Sequence, residues 1–489
     1  MTTAKVALVA TCLASGLVMS ARPIARTVSA QTPAFPSRPP VDVTSQQDRD
    51  QMMMQLGVRF PDDLPPKATD PNRPTIPLKE KYANEPGRSY LDEAGNTIVR
   101  DAFGSWVNYE DAKAGTYTPL QPLRMHDGTV IKTPDQWWKK RRPELMEDVA
   151  GTVWGRIPDA RLLPKVTWEV TSTANGGADD VPFVEKRITG VIDTSRYPDV
   201  RNVPKIDVAL RLPANAKGPV PVIVVFSAPN GLNTNWNFVK AEGWGLATFD
   251  PVTLQPDNGA GLSSYLIGLV NQGNWRKPDD WGTLAAYAWG VGRLIDYFES
   301  GREIDATRVG LMGHSRWGKA TMVAMAYESR IAIGYPSAGG TLGAKQFRRH
   351  WGQNLESIST ANEYHWMAGN AFKYMGPMKP GAYLPRKIEM LPVDGESLIE
   401  LTAPRPVFLN GGTTDTWSDA PGTYLAGVAA SPVYELLGKK GLVNRDGPVP
   451  KPDVAYLEGD LGYRVHTGGH TPAPDWPAFV EFTRKYFTK

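Results

Sequence analysis

Between Pro219 and the end of "AGVAASPVYELLGKK", short apolar runs alternate with longer amphipathic stretches, and this alternation leaves few folds open. The runs "PVPVIVVFS", "GWGLATFD", "RVGLMGHS", "IAIGYPS" and "RPVFLNGG" read as strands covered on both faces. Among them, "WGTLAAYAWGVGRLIDYFES", "WGKATMVAMAYES" and "AGVAASPVYELLGKK" read as helices with an apolar side. Upstream, "VTWEV", "FVEKRITGVI" and "KIDVALRLP" alternate at every second residue, as antiparallel strands do. Downstream, "AYLEGDLGYRVH" is followed by a final helix, "DWPAFVEFTRKYF". Antiparallel strands running into strand–helix alternation predict an α/β fold, a sheet sandwiched between two helical layers.

This pattern places one domain at residues 131–489, opening on a helix that Thr133 caps with Pro134 in its first turn. Trp137, Trp138, Leu145 and Val149 are expected on its apolar side. Residues 31–130 are read as an extended N-terminal arm, because "FPSRPPVDV" and "FPDDLPPKATDPNRPTIP" show no sustained periodicity. Residues 1–30 have the form of a secretory leader, with Lys5, the apolar "VALVATCLASGLVM" and a small-residue cleavage site after Ala30. That apolar run is too short and broken to span a membrane, so a periplasmic or secreted protein with no membrane contact is expected. Cys12 is the only cysteine, so the exported chain would carry no disulfide. A net charge of only +3 gives no footprint for nucleic acid, and a monomer is expected.

Chemistry concentrates in "VGLMGHSRWGKATMVAMAY", where Ser315 lies between an apolar strand and a helix. A nucleophilic serine needs an exposed oxygen and backbone N–H groups able to hold an oxyanion, and a sharp strand-to-helix turn supplies both. Gly313 lies two residues before Ser315 and Gly318 three after, so the spacing departs from G-x-S-x-G. On these residues alone, a nucleophile and a helix-capping hydroxyl are equally open. Hydrolases built this way order their partners serine, acid, histidine. Asp415 in "FLNGGTTDTWSD" and His470 in "YRVHTGGHTPAPDW" fall on the loops where an acid and a base belong, with His466 as the rival base. No metal site is legible: there is no H-E-x-x-H, and His466 and His470 lack carboxylate companions at ligand spacing. Neither a metal nor another cofactor is expected.

"GHSRWGK" together with the late "GGH" resembles the glucuronoyl esterases of carbohydrate esterase family 15, in their bacterial α/β-hydrolase branch. The family pattern G-(C/H)-S-R-x-G-K is met by Gly313, His314, Ser315, Arg316, Gly318 and Lys319. "FRRHWGQN", "HWMAGNAFKY", "LPVDGESLIELTAPRPVFL" and "WSDAPGTYLAG" extend the resemblance over roughly residues 130–489. It implies an α/β-hydrolase sandwich that cleaves the ester between lignin alcohols and 4-O-methyl-glucuronic acid on xylan. Ser315 would then attack the carbonyl, His470 would move the proton, and Arg316 would help hold the oxyanion. Lys319, Gln353, Glu363 and Trp417 would bind the sugar. The partner implied is a small-molecule or polysaccharide uronate ester.

One departure bears on the acid. Many members carry it as Glu after the sixth strand, but no Asp or Glu occurs between Ile331 and Leu355. Either Asp415 takes the role, with Asp419 in reserve, or His470 has no orienting carboxylate. "DGESL" also stands where some relatives carry a histidine. An acetyl or feruloyl esterase, and a carbohydrate-binding pseudo-hydrolase, are the competing readings.

Overall fold

Along the strand Val220–Phe226, Val222, Val224 and Phe226 join one buried cluster while Ile223 and Val225 join another. A period of two with both sets apolar is what a strand covered on both faces requires. The computed structural model describes residues 38–58, 90–91, 97–100, 106–109, 114, 118–177, 180–375, 388–443 and 450–488. The leader read at residues 1–30 lies outside them.

The principal elements begin with α1 (Ser45–Leu56) and the short strands β1 (Tyr90–Leu91), β2 (Thr97–Arg100) and β3 (Trp106–Val107). Next come α2 (Arg142–Val149), β4 (Val166–Gly176), β5 (Phe183–Ile192), β6 (Lys205–Pro213) and β7 (Val220–Phe226). α3 (Gly231–Val239), β8 (Gly245–Asp250), α4 (Thr283–Ser300), β9 (Ile304–His314) and α5 (Arg316–Tyr327) follow. The chain continues through β10 (Ile333–Ser337), α6 (Gly395–Thr402), β11 (Val407–Gly412) and α7 (Ala420–Leu436). It ends with β12 (Ala455–Tyr456), β13 (Leu461–His466) and α8 (Trp476–Phe487).

Ten strands form one sheet in the order β12-β13-β11-β10-β9-β7-β8-β6-β5-β4. β4, β5, β6 and β8 pair antiparallel, β8, β7, β9, β10, β11 and β13 run parallel across the centre, and β12 closes the far edge antiparallel to β13. The antiparallel N-terminal strands and the three-layer α/β-hydrolase architecture expected from the sequence are therefore present. α4, α5, α6 and α7 pack on the face carrying Val222 and Val224, while α3 and α8 cover the face carrying Ile223 and Val225. No helix among the described residues is long and apolar enough to cross a membrane.

Two local expectations need correction. Thr133 does cap its helix, accepting from the Gln136 N–H at 3.2 Å. π-helical turns at Trp137–Arg141 and Ala150–Trp154 flank α2, however, and their wider turn breaks the 3.6 phase. Trp137, Leu145 and Val149 are buried, but Trp138 is 45% exposed. Within the arm expected to be extended, residues 45–56 instead form α1, closed by a Thr44–Gln47 capping box and by Gly57 at φ 64°. Its buried face is Asp48, Arg49, Gln51, Met52 and Met53, too polar to give an apolar period.

Phe408 of β11 anchors α8, with its ring 5.2 Å from Tyr335 and 6.0 Å from both Phe479 and Phe482. Phe408→Ala should cost about 3–5 kcal/mol, because the strands around it cannot collapse into the cavity. Urea denaturation measures this, and a loss near zero would mean that α8 is not held through Phe408.

Candidate active site

Ser315 sits between β9 and α5 with φ 61° and ψ −124°, a conformation costly for any residue with a side chain. Its neighbours force that shape. A Cβ on Gly313 would lie 2.2 Å from the Trp317 carbonyl oxygen, and one on Gly318 would lie 2.4 Å from the Ser337 oxygen. Gly318 therefore lets α5 sit directly against the end of β10, which accounts for a glycine three residues after the serine. The Ser315 N–H donates to Ser337 O at 2.9 Å, tying the turn to that strand. The first N–H groups of α5 have no intrahelical partner and lie beside the serine in sequence.

The loop after β13 brings in His470. Its Nδ1 lies 2.6 Å from Asp415 Oδ2, and Asp415 is buried at the end of β11. Burial raises the Asp415 carboxyl, but His470 and Ser418 outweigh it and hold it below its ordinary value, so it is ionised. The His470 ring centroid is 4.4 Å from that of His314, the residue before Ser315. Burial first, then the neighbouring His470, push His314 down to about 4, so it stays neutral at neutral pH.

The rivals are occupied elsewhere. His466 directs Nδ1 to Asp475 at 2.7 Å and Nε2 to Gly469 O at 3.0 Å, so both ring nitrogens hold the His470 loop in place. Asp419 caps α7 through Gly422 N–H at 3.0 Å and accepts from Arg349 Nε at 3.1 Å.

Arg316 extends a half-exposed side chain across the turn to Asp257, with Nη1 2.5 Å from Oδ2. Asp257 Oδ1 also meets His365 Nε2 at 2.9 Å and accepts from Trp366 Nε1 at 2.6 Å. Burial would raise the Asp257 carboxyl, yet the bonds from His365, Trp366 and Arg316 together hold it well below 3.8. Sequence reasoning missed Asp257, and it met His365 and Trp366 only at the head of "HWMAGNAFKY", without a role. "LQPDNGAG" carries no motif, and the pairing spans a separation of 109 residues.

Lys319 lies one turn along α5 and is only 4% exposed. Its Nζ donates to Gly339 O at 2.6 Å, Thr341 O at 2.7 Å and Gln353 Oε1 at 2.6 Å. An ammonium has three donors, so a sugar hydroxyl would have to displace one of these acceptors. Burial pushes Lys319 down to about 7. Glu363 is 9% exposed, and its Oε2 has no hydrogen-bond partner among the described residues. Trp417 packs against Val107 and Tyr109 from the N-terminal extension, and its carbonyl accepts from Gln353 N–H at 2.9 Å. A strained serine beside a carboxylate–histidine pair, an adjacent cation and a polar wall can carry out acyl transfer on a hydroxyl-rich ester.

The chain is similar to proteins already known. A family model described as "Glucuronyl esterase, fungi" matches residues 200–438. A protein described as "Carbohydrate esterase MZ0003", from an unknown prokaryotic organism, is 30% identical over 425 residues, covering 78% of this chain and 92% of its own. The solved structure of a CE15 glucuronoyl esterase from Teredinibacter turnerae T7901 superposes with a TM-score of 0.72 at 30% identity. That alignment covers 90% of this chain and 99% of the other. A 4-O-methyl-glucuronoyl methylesterase from Schizophyllum commune is 26% identical over 328 residues, covering 65% of this chain and 73% of its own.

The Asp257 site has a pH signature. A carboxyl depressed in the folded state stabilises the fold at pH values above its unfolded pKa. This contribution is lost as pH falls through the folded value. Asp257→Asn should therefore melt below the wild type near neutrality, with the gap closing below about pH 4. Melting temperatures followed from roughly pH 7 to roughly pH 3 test this, and a constant gap would refute it.

Proposed function

The chain belongs to the glucuronoyl esterases of carbohydrate esterase family 15, and from that premise we propose a serine esterase using Ser315, His470 and Asp415 on uronate esters. It is a carboxylic ester hydrolase acting on carbohydrate. The observation that carries the finer reading is the Asp415–His470 pair at 2.6 Å, with the His470 ring 4.4 Å from that of His314, the residue before the strained Ser315.

In this mechanism His470 accepts the Ser315 proton as Oγ attacks the ester carbonyl, and Asp415 holds the ring and stabilises the imidazolium. Negative charge develops on the carbonyl oxygen, where Arg316 and the N–H groups of the first turn of α5 receive it. Collapse expels the alcohol, which takes the proton from His470 and leaves an ester to Ser315. Water, deprotonated by His470, then attacks that ester, and the acid departs as Ser315 recovers its proton. His314, neutral beside His470, adds no competing charge.

For the acid half we propose glucuronate, including its 4-O-methyl form on xylan, with a lignin alcohol as the leaving group. Glu363 Oε2, buried without a hydrogen-bond partner among the described residues, is suited to accept from a sugar hydroxyl. Lys319 occupies Gln353 Oε1 and leaves the Gln353 amide nitrogen to donate. Trp417 supplies an apolar edge to the sugar, and Lys319 reaches the ligand by exchanging one of its carbonyl acceptors. The name of the Schizophyllum commune relative supports a uronate ester. A polymer substrate outside the cell fits the leader read at residues 1–30. Hydrolysis of benzyl glucuronate, compared with methyl galacturonate, 4-nitrophenyl acetate and methyl ferulate, tests the substrate class. A preference for the acetate or the ferulate would overturn the uronate reading.

On the best ester, Ser315→Ala should lower kcat by roughly 10⁴ to 10⁶ while the fold persists. Near-wild-type turnover in that variant would remove the nucleophile assignment. Asp415→Asn keeps the shape but loses the charge, and kcat should fall by up to about 10⁴. Asp419→Asn should act mainly on stability, through the α7 cap and Arg349. Should steady-state kinetics rank these two the other way, Asp415 is not the acid.

A further inference from the structure

α1 lies far upstream in sequence, yet it contacts two loops of the site. Arg49 Nε donates to Ser359 O at 2.5 Å, and the Arg49 guanidinium stands 5.6 Å from the centre of the Phe372 ring. Met52 packs so closely on Gly369 that a Cβ there would lie 2.1 Å from its sulfur. The Tyr364 hydroxyl donates to Asp48 Oδ2 at 2.6 Å, within the segment that carries Glu363, His365 and Trp366. On the second loop, Ser45 Oγ accepts from Ala260 N–H at 3.1 Å. The two loops meet at the same hydroxyl: a Cβ on Gly259 would lie 2.3 Å from Tyr364 Oη. Gly259 is two residues from Asp257.

We propose that α1 is a brace for the substrate wall, with Asp48 as a positioning residue that acts through Tyr364 on Glu363, His365 and Asp257. Asp48 is 3% exposed, and burying a carboxylate is unfavourable unless something specific is gained. Its bond pins the middle residue of Glu363-Tyr364-His365, so a displacement of Tyr364 moves residues on both sides. His365 and Trp366 hold the carboxylate that holds Arg316, which extends the effect to the oxyanion side. The helix thus reaches the chemistry without touching substrate. The roles assigned to Glu363 and Arg316 rest on the function proposed above.

The test compares Asp48→Ala, Tyr364→Phe and the double variant by kinetics and by hydrogen–deuterium exchange, at a temperature where all remain folded. Each single variant should lower kcat/KM on benzyl glucuronate by about ten- to a hundredfold, the scale on which a small misplacement of positioned groups is felt. The double variant should be no worse than the poorer single, because both remove one interaction. Exchange should rise in residues 359–372 and 257–263 while the central strands stay protected. Tyr364→Phe keeps the ring and decides the matter if Asp48→Ala fails to fold. Lower melting temperatures with unchanged kcat, KM and loop exchange would reduce α1 to a stabilising element and overturn the proposal. A wild-type protein inert on benzyl glucuronate but active on 4-nitrophenyl acetate would sink the uronate reading, and the loop exchange would still decide the brace.

Discussion

Everything at this site depends on the backbone of Ser315 being held at positive φ between β9 and α5. Strain of that kind persists only where the surroundings over-determine it. Here two approaches do so, Gly313 against the Trp317 carbonyl and Gly318 against Ser337, with the Ser315–Ser337 hydrogen bond closing the turn. Once α5 is seated this tightly, Arg316 must leave the turn on one side and Lys319 must enter the protein on the other. The strained turn therefore sets the positions of both cations as well as the serine.

Those cations are treated in opposite ways. Arg316 stays half exposed and is steered by the Asp257 carboxylate, whose other oxygen is held by His365 and Trp366. Lys319 is buried among carbonyl and amide oxygens and pushed down to about 7 by that burial. The first arrangement keeps a charge available at the mouth of the site. The second uses an ammonium to knit the 339–353 loop to α5. The buried Asp415 follows the logic of the partly buried Asp257, a carboxylate kept ionised by the partner it orients. Buried charges are costly unless paired, and here each pairing also fixes a direction.

The supporting layer reaches far from the serine. Asp475 joins Asn410, Arg464 and His466 beneath the β11 and β13 ends, and His466 holds Gly469 next to His470. On the other side, Asn108 donates to the His350 carbonyl and accepts from Gly352 N–H, beside the Gln353 that bonds Lys319. Segments before residue 130 thus support both the Trp417 edge and the wall carrying Glu363. An extension without apolar period can do this because single apolar side chains, Met52 on Gly369 and Val107 and Tyr109 on Trp417, are combined with polar anchors such as Asp48 and Asn108.

The sequence by itself determined the sheet, the covering helices and the strand-to-helix serine, because their signals are local: period two, period 3.6 and glycines at a turn. Asp415 and His470 were legible as candidates because each follows an apolar strand at the same edge. Which acid faces the histidine was not legible, since Asp415 and Asp419 differ by four residues and only the fold sends one to His470 and the other to Arg349. Asp257 with Arg316, and Asp48 with Tyr364, carry no local signal. They exist because the α/β winding brings loops of distant origin to one end of the sheet. The tertiary structure alone decided them, for the reason that a hydrogen bond depends on distance in space and leaves no period along the chain.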